Sequence, residues 1–239
     1  MKNHYCLNAC HSDWKQILIN ALDSMDQNYL HQLFDDKNWL PGAEQLFAAF
    51  SLPLENTQFI LLGESPYPRA ASANGYAFWD EAVDSLWSLK GLSVPVNRAT
   101  SLRNWIKMLL VARGDLTTDT SQESIAKLDK SLLVQTGKQL FQGMMKKGIL
   151  LLNASLVYSE GKVPYHARYW KPFIKSLLQQ LSLIKPGVQL ILLGKIAEAV
   201  SDAPLPIGLV AEHPYNISFI NNQQVIEFFK PLDLLRYDE

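Results

Sequence analysis

The hydrophobic residues of this chain fall into short runs that are separated by stretches with a helical period. Four of the apolar runs have the length of a strand rather than of a helix, and they cover residues 59–62, 149–152, 190–193 and 207–210. Continuous apolar runs without alternation are typical of strands in a parallel sheet that is covered on both faces. The pattern therefore predicts a central parallel sheet of four strands.

Helical spacing of apolar positions fills most of the remaining chain. It predicts helices over 14–35, 43–50, 101–112, 121–146, 170–184 and 195–201. Strands that alternate with helices indicate an α/β protein. We expect a three-layer α/β/α sandwich with a central four-stranded parallel sheet. It forms a single domain over residues 1–239, in which residues 1–13 can be flexible.

Polar residues collect where the predicted strands end. Glu64 and Ser65 follow the first run, Asn153 the second and His213 the fourth. Ligands of open α/β sheets bind beyond the carboxyl ends of the strands. Each of these residues alone is also typical of a turn or a helix cap. Their coincidence at one edge of the sheet nevertheless indicates a binding or catalytic site.

Composition restricts the class of protein. Hydrophobic residues make up 48% of the 239 residues and charged residues 19%, which is enough apolar material for a large core and excludes a mainly disordered chain. Lys and Arg number 22 against 23 Asp and Glu, so the formal net charge is −1. The chain therefore lacks the overall basic charge of many nucleic-acid binders, although a local basic groove remains compatible with it.

The cysteine count and the N-terminus bear on the compartment. Two cysteines, Cys6 and Cys10, are too few for a disulfide scaffold and suit a reducing compartment. No apolar run reaches the ~18–20 residues of a membrane span, and the N-terminus is too polar for a signal peptide. His4, Cys6, Cys10 and His11 fit no zinc spacing, so we expect no metal. These features predict a cytoplasmic protein without a membrane association.

Five segments resemble, in order, motifs of the uracil-DNA glycosylase superfamily. Residues 63–78 read GESPYPRAASANGYAF and resemble the family's GQDPYH motif with its following loop and GxAF. The other four resemble its PPSL segment, its LLLNxxL strand, the next strand and its leucine loop HPSPLS: 100–102, 148–156, 190–194 and 213–218. Order and spacing agree over roughly residues 43–229, so by resemblance the chain is identified as a member of this superfamily.

The resemblance implies hydrolysis of the N-glycosidic bond of a uracil that has been flipped out of DNA. Asn153 would read the O4/N3 edge of uracil, because its amide offers both a donor and an acceptor. Phe78 would stack on the base, and Tyr67 would exclude the methyl group of thymine. His213 would donate to uracil O2 and stabilise the negative charge that develops on the leaving base.

The resemblance also implies contacts with the DNA itself. Ser101 and Ser218 would contact phosphates, and His166 would lie near the DNA backbone. Ile217 stands where the family has a leucine wedge that fills the space left by the flipped base. The implied partner is DNA containing uracil or a related damaged base, bound by a monomer without a cofactor. The same scaffold admits a replication or repair protein as a further partner.

One catalytic position departs from the family pattern. Ser65 stands where the main family has an Asp that activates water or stabilises the sugar cation. Serine is a poor base, and loss of a general base typically costs ~10²–10⁴ in rate. Glu64 resembles the Glu of the GEAPG motif in iron–sulfur members of the superfamily. It is therefore either the functional carboxylate or an ordinary surface residue.

Three hypotheses about function follow. The first is a divergent uracil-DNA glycosylase of base excision repair, with His213, Glu64 and Ser65 as the candidate catalytic residues. The second is a catalytically weak or inactive DNA-binding module on the same scaffold, which the serine at position 65 motivates. The third is a glycosylase with shifted base specificity, because Glu64 and Ser65 change the charge and size of the expected pocket.

Overall fold

The computed structural model describes residues 7–36, 38–200 and 202–237. Its strands in chain order are β1 (Phe59–Gly63), β2 (Trp87–Ser88), β3 (Gly91–Leu92), β4 (Ile149–Asn153), β5 (Gln189–Leu193) and β6 (Ile207–Ala211). Four of them form a parallel sheet in the order β4-β1-β5-β6, and β2 and β3 form a separate antiparallel hairpin. All four predicted strands are thus confirmed, and β1 and β5 occupy the centre of the sheet.

Helices lie on both sides of this sheet. In chain order they are α1 (Lys15–Asp23), α2 (Gln27–Asp35), α3 (Val94–Arg98), α4 (Thr100–Arg113), α5 (Gln122–Ala126), α6 (Gly137–Lys146), α7 (Val163–Ile184), α8 (Ile196–Ala199) and α9 (Gln223–Phe229). Short 3-10 segments cover Leu7–Ala9, Ser12–Trp14, Ala48–Phe50, Leu54–Asn56, Ile217–Asn221 and Lys230–Leu232. None of the described helices is long and apolar enough to cross a membrane.

Alternate residues of the strands enter two separate hydrophobic clusters, as the period of a strand requires. Leu61, Leu151 and Ile191 pack on one face of the sheet with residues of α4, α6 and α9. Leu62 and Leu152 pack on the other face with residues of α1, α2 and α7. Burying a side chain of this kind stabilises the fold by ~1.5–3 kcal/mol. The two clusters confirm the predicted three-layer α/β/α sandwich.

The predicted continuous helix over 121–146 is wrong, because two helices separated by a loop occupy this range. The second of them, α6, begins at a capping box. The Thr136 side chain accepts a hydrogen bond from the backbone N–H of Gln139, and the Gln139 side chain accepts one from the backbone N–H of Thr136. The loop backbone is also paired elsewhere, since Gln135 O accepts from Leu86 N at 2.9 Å. These contacts outweigh the helical spacing of the apolar residues.

Three other helix boundaries also differ from the prediction. Residues 43–47 form turns, and only Ala48–Phe50 is helical, as a 3-10 segment. The range 14–35 is divided into α1 and α2 because the Asp26 side chain caps a new helix by accepting from Tyr29 N. The last long helix, α7, begins at Val163 rather than at residue 170.

The part of the N-terminal segment that the structure describes packs against the rest of the fold. Cys10 is a buried free thiol in the cluster beneath α1, and His11 N donates to Phe50 O at 2.8 Å. Residues 7–13 therefore belong to the folded domain. The rest of the segment that was expected to be flexible, residues 1–6 with Cys6, lies outside the described residues.

The structure corrects the expectation that His166 lies near the DNA backbone. Its side chain is 3% exposed and lies in the core, on α7. Tyr29 Oη lies 2.8 Å from His166 Nδ1, and Ser159 Oγ lies 3.0 Å from His166 Nε2. Because Tyr29 Oη accepts from Trp170 Nε1 at 3.0 Å, its own proton is available for His166 Nδ1. Both ring nitrogens are thus satisfied within the protein.

We expect His166 to make the fold sensitive to acid. Burial lowers its pKa, and Lys162 lowers it further, while Asp36 raises it. The unfolded chain therefore binds the proton more readily, so the free energy of unfolding should fall as the pH drops below about 6.5. Urea unfolding measured across this range should show the loss. A His166→Gln variant should be less stable overall but should show a shallower dependence on pH, and an unchanged slope would contradict the assignment.

Candidate active site

The ends of β1 and β4 lie side by side and continue to pair beyond the sheet. Gly63 is the register partner of Asn153. Ala154 N then donates to Gly63 O at 2.8 Å, and Ser155 N donates to Glu64 O at 2.9 Å. The first polar residues after both strands are therefore fixed relative to each other by backbone hydrogen bonds.

Gly63 leaves room for the groups around it. A Cβ atom at this position would lie 2.7 Å from Asn153 Oδ1 and 2.9 Å from the Cβ of Ala77, both closer than real contacts allow. It would also lie 3.6 Å from Cε2 of Phe78. The missing side chain therefore allows the Asn153 amide to approach β1 beside the Phe78 ring. Asn153 is 3% exposed, and no hydrogen bond engages its amide within the described part of the chain.

Phe78 adopts a backbone conformation that is unusual for a residue with a side chain. Its φ angle is 64°, in the left-handed region. Such strain persists only where the surroundings enforce it, and it is common at functional sites. Here Ala77 N donates to Leu151 O at 3.1 Å, and Tyr67 Oη donates to the carbonyl of Phe78 at 3.3 Å. The Phe78 ring is thereby held close to the end of β4.

Tyr67 remains a neutral hydroxyl beside Phe78. Burial, followed by the negative charge of Asp80, raises its pKa to about 12, and Arg69 opposes this shift. Asp80 in turn supports the loop, since its carboxylate accepts from Arg69 at 3.0 Å and from the backbone N–H of Ala82 at 3.0 Å. Sequence reasoning gave no role to this carboxylate, and the structure identifies it as a support for the loop that carries Tyr67 and Phe78.

His213 reaches the same region from the end of β6. Its Nδ1 accepts from Tyr215 N at 3.1 Å, so the neutral ring carries its proton on Nε2. Burial lowers the pKa of His213, while Glu64 raises it. The His213 ring stacks near the Phe78 ring, with 5.9 Å between centroids and 28° between planes. His213 is therefore a neutral donor that lies beside the aromatic ring.

Glu64 and Ser65, the two candidate catalytic residues after β1, differ in exposure to solvent. Glu64 is exposed, and its charge is close enough to affect His213. Ser65, the next residue, is partly exposed. Of the two, only Glu64 brings a negative charge to the region between β1 and β6.

The loop after His213 projects apolar side chains into solvent. Tyr215 is 66% exposed and Ile217 is 70% exposed, whereas Phe219 and Ile220 just beyond them are buried and anchor the loop. Ser218 is exposed on the same loop, and Ser101 lies partly exposed in the first turn of α4. An open depression of about 400 Å³ adjoins His213, lined by Gly194, Lys195, Glu198, Glu212, His213, Tyr215 and Asn216.

One residue of this region was missed by sequence reasoning. Asn104 lies on α4, is 1% exposed and donates from Nδ2 to Pro214 O at 2.8 Å, directly after His213. The signal available in the sequence was weak: a single polar residue on the apolar side of a predicted helix. Its partner is 110 positions away in the chain, which no local pattern reveals.

The arrangement has a definite chemical capacity. A buried amide supplies a donor and an acceptor, an aromatic ring supplies a stacking face, and a neutral imidazole supplies one further donor. Such preorganised groups can bind a planar heterocycle and stabilise negative charge on it. Among residues 7–36, 38–200 and 202–237, no group of three or more His, Cys, Asp or Glu side chains is arranged to hold a metal ion.

Comparison with known proteins gives a consistent result. The family model described as the uracil DNA glycosylase superfamily matches residues 51–239. A uracil-DNA glycosylase of Aliivibrio salmonicida is 30% identical over 187 residues, covering 76% of this chain and 70% of the relative. A uracil-DNA glycosylase of Leuconostoc citreum is 27% identical over 219 residues, covering 87% of this chain and 84% of the relative.

Solved structures agree with these sequence matches. The wild-type UNG crystal structure from Nitratifractor salsuginis is 42% identical, with a TM-score of 0.93, and the match covers 98% of this chain and 96% of that one. The mimivirus uracil-DNA glycosylase is 16% identical, with a TM-score of 0.59, over 87% of this chain and 71% of that one. The second comparison shows a shared fold only.

We predict that His213 is neutral at pH 7 and titrates below the ordinary value of about 6.5. Nitrogen-15 NMR of the histidine rings should find its proton on Nε2 and its pKa depressed. Because the negative charge of Glu64 raises this pKa, a Glu64→Gln variant should lower it further. A pKa that is unchanged or raised in that variant would mean that Glu64 does not act on His213.

Proposed function

Because this chain belongs to the uracil-DNA glycosylase superfamily, we propose that it hydrolyses the N-glycosidic bond of uracil in DNA, in base excision repair. The observation that carries this proposal is the convergence of Asn153, Phe78 and His213 at the carboxyl ends of β4, β1 and β6. Relatives that are named uracil-DNA glycosylases support the same activity.

Base recognition rests on Asn153 and Phe78. The Nδ2 of Asn153 donates to uracil O4, and its Oδ1 accepts from N3–H, which together select the edge of uracil over that of cytosine. Phe78 stacks on the face of the flipped base. The 3% exposure of Asn153 supports this role, because a hydrogen bond is stronger where water is excluded.

His213 stabilises the leaving group. Its Nε2–H donates to uracil O2, where negative charge grows as the glycosidic bond breaks. The hydrogen bond from Tyr215 N to Nδ1 keeps the proton on Nε2. Burial lowers the pKa of His213, which supports a neutral donor at physiological pH.

Glu64 supplies the carboxylate that Ser65 does not. Its negative charge lies close enough to His213 to raise the pKa of the ring. Ser65 is the next residue and carries no charge. In this role Glu64 stabilises the cationic sugar or orients the attacking water, and Ser65 contributes at most a hydrogen bond to that water.

The remaining roles concern DNA and base selection. Tyr67 closes the side of the pocket against the 5-methyl group of thymine. Ile217, with 70% of its side chain exposed, fills the space left by the flipped base. Ser101 and Ser218 contact phosphates on either side of the flipped nucleotide.

The proposed partner is uracil-containing DNA, and the proposed compartment is the cytoplasm. The proposed acting form is a monomer. The buried Cys10 is a free thiol, which is compatible with a reducing compartment.

Release of uracil from a labelled single-stranded oligonucleotide tests the function. At low salt and with protein in excess, alkali should reveal abasic sites with the natural chain. Asn153→Ala should abolish them because the base is no longer held. Glu64→Gln should reduce the rate about 10²-fold or more, as expected for a lost catalytic carboxylate. Ser65→Asp in the Glu64→Gln background should restore part of the rate.

Matched controls separate catalysis from folding. Glu55 is exposed and precedes β1, at the opposite edge of the sheet, so Glu55→Gln should leave the rate unchanged. If the natural chain forms no abasic sites but Ser65→Asp does, the pocket is intact but lacks its catalytic group, and the hypothesis of a DNA-binding module is favoured. Full activity in Asn153→Ala would reject the proposed site.

Tyr67 makes a separate prediction about base selection. Tyr67→Ala should release thymine from a thymine-containing oligonucleotide at a measurable rate, because the wall beside the 5-position is removed. The hydrogen bond from Tyr67 to Phe78 O is lost as well, so uracil release should become slower. Tyr67→Phe keeps the wall and loses only the hydroxyl, so it should still reject thymine. Thymine release by Tyr67→Phe would argue against a steric role.

A further inference from the structure

The turn that carries His213 is held from the opposite side by one buried side chain of α4. We propose that Asn104 is a positioning residue that clamps the turn 213–216, and through it sets both the place and the tautomer of His213. The proposal rests on the proposed function, because it assigns the purpose of the clamp to uracil release. Its geometry, however, can be tested without any catalytic assay.

The amide of Asn104 faces three consecutive carbonyl groups. Asn104 Nδ2 lies 2.8 Å from the carbonyl oxygen of Pro214, 3.3 Å from that of Tyr215 and 3.4 Å from that of Asn216. Only the NH₂ group can face three acceptors, since an amide oxygen there would be repelled. The three carbonyl groups therefore fix which way the Asn104 amide points. In return, the Asn104 NH₂ group holds these carbonyl groups in place.

The same turn holds His213 with its N–H groups. Tyr215 N donates to His213 Nδ1 at 3.1 Å, and Asn216 N donates to His213 O at 2.9 Å. The carbonyl groups of the turn thus bind Asn104, while its N–H groups bind His213. Loss of Asn104 frees the carbonyl groups, and a turn that rotates toward water withdraws the Tyr215 N–H group from the ring.

Asn104 lowers the stability of the hydrophobic core, which argues against a purely structural role. The residue is 1% exposed, and its Oδ1 is buried without a hydrogen-bond partner. A buried polar atom without a partner destabilises a fold. Leu102, Ile106 and Met108 on the same helix are buried and apolar, so an apolar residue would suit the packing at position 104.

The position of Asn104 on α4 also connects the turn to the rest of the site. Ser101, the proposed phosphate contact, lies in the first turn of the same helix. Trp105, the residue after Asn104, packs against Phe78 with 5.5 Å between ring centroids and against Phe219 with 5.7 Å. Adjacent residues of α4 therefore contact the stacking ring, the His213 turn and the anchor of the exposed loop.

Asn104→Leu keeps the approximate volume of the side chain and removes the donor. We expect kcat for uracil release to fall about 10²-fold, as for a small misplacement of a catalytic group, with a much smaller change in KM. In a His213→Ala background the same substitution should cost little more, because the two residues act together. Asn104→Ser keeps one donor on a shorter side chain, so its kcat should lie between those of the natural chain and of Asn104→Leu. It replaces Asn104→Leu in these experiments if the leucine variant does not fold.

NMR of the His213 ring provides the readout that is independent of catalysis. In Asn104→Leu the ring should become more exposed to water, so its pKa should rise toward the ordinary value. Its proton should also divide between the two nitrogens. The charged groups around the ring, Glu64, Lys195, Glu198 and Glu212, are not substituted, so a shift reports movement of the ring relative to water and to these groups.

Tyr29→Phe is the matched control. It also removes a buried hydrogen-bonding group, one that contacts His166 and Trp170 in the other layer. It should lower the melting temperature without altering kcat or the His213 signals. The proposal is overturned if Asn104→Leu leaves the His213 pKa and tautomer as in the natural chain, or if its loss in kcat is equally large without His213. Absence of uracil release by the natural chain would instead reject the proposed function, and the NMR result would still decide the role of Asn104.

Discussion

The site depends on the absence of a side chain at Gly63. Parallel pairing places Gly63 beside Asn153 at the end of the sheet, and any Cβ atom would collide with the Asn153 amide and with Ala77. Because Gly63 has no side chain, the buried amide of Asn153 and the ring of Phe78 can both lie close to the end of β1. The backbone of Phe78 has a positive φ angle there, and its carbonyl accepts a hydrogen bond from Tyr67.

A second constraint is electrostatic. In the proposed reaction, the site stabilises negative charge on the leaving base with neutral hydrogen-bond donors. Burial keeps His213 neutral, and the N–H group of Tyr215 directs its proton outward on Nε2. The negative charge of Glu64, the residue after β1, raises the pKa of this ring. In the proposed mechanism, Glu64 supplies the carboxylate that the serine at position 65 does not provide.

The sequence predicted the sheet well, because a strand buried on both faces needs a continuous apolar run and little else. It failed where tertiary contacts compete with helical spacing. The capping box at Thr136 starts a helix in the middle of a predicted one. His166 matched a family position, yet its burial depends on Tyr29, which is 137 residues distant in the chain. Asn104 was missed for the same reason, since its partners are carbonyl groups of a remote turn.

In the proposed function, Asn153, Phe78 and His213 together hold uracil at the carboxyl edge of the sheet. A crystal structure of the chain with free uracil, the proposed product, tests it most directly. We expect the base to stack on Phe78, with the Asn153 amide hydrogen-bonded to O4 and N3–H and with His213 Nε2 within hydrogen-bond distance of O2. Uracil bound elsewhere, or bound with His213 turned away from O2, would contradict it.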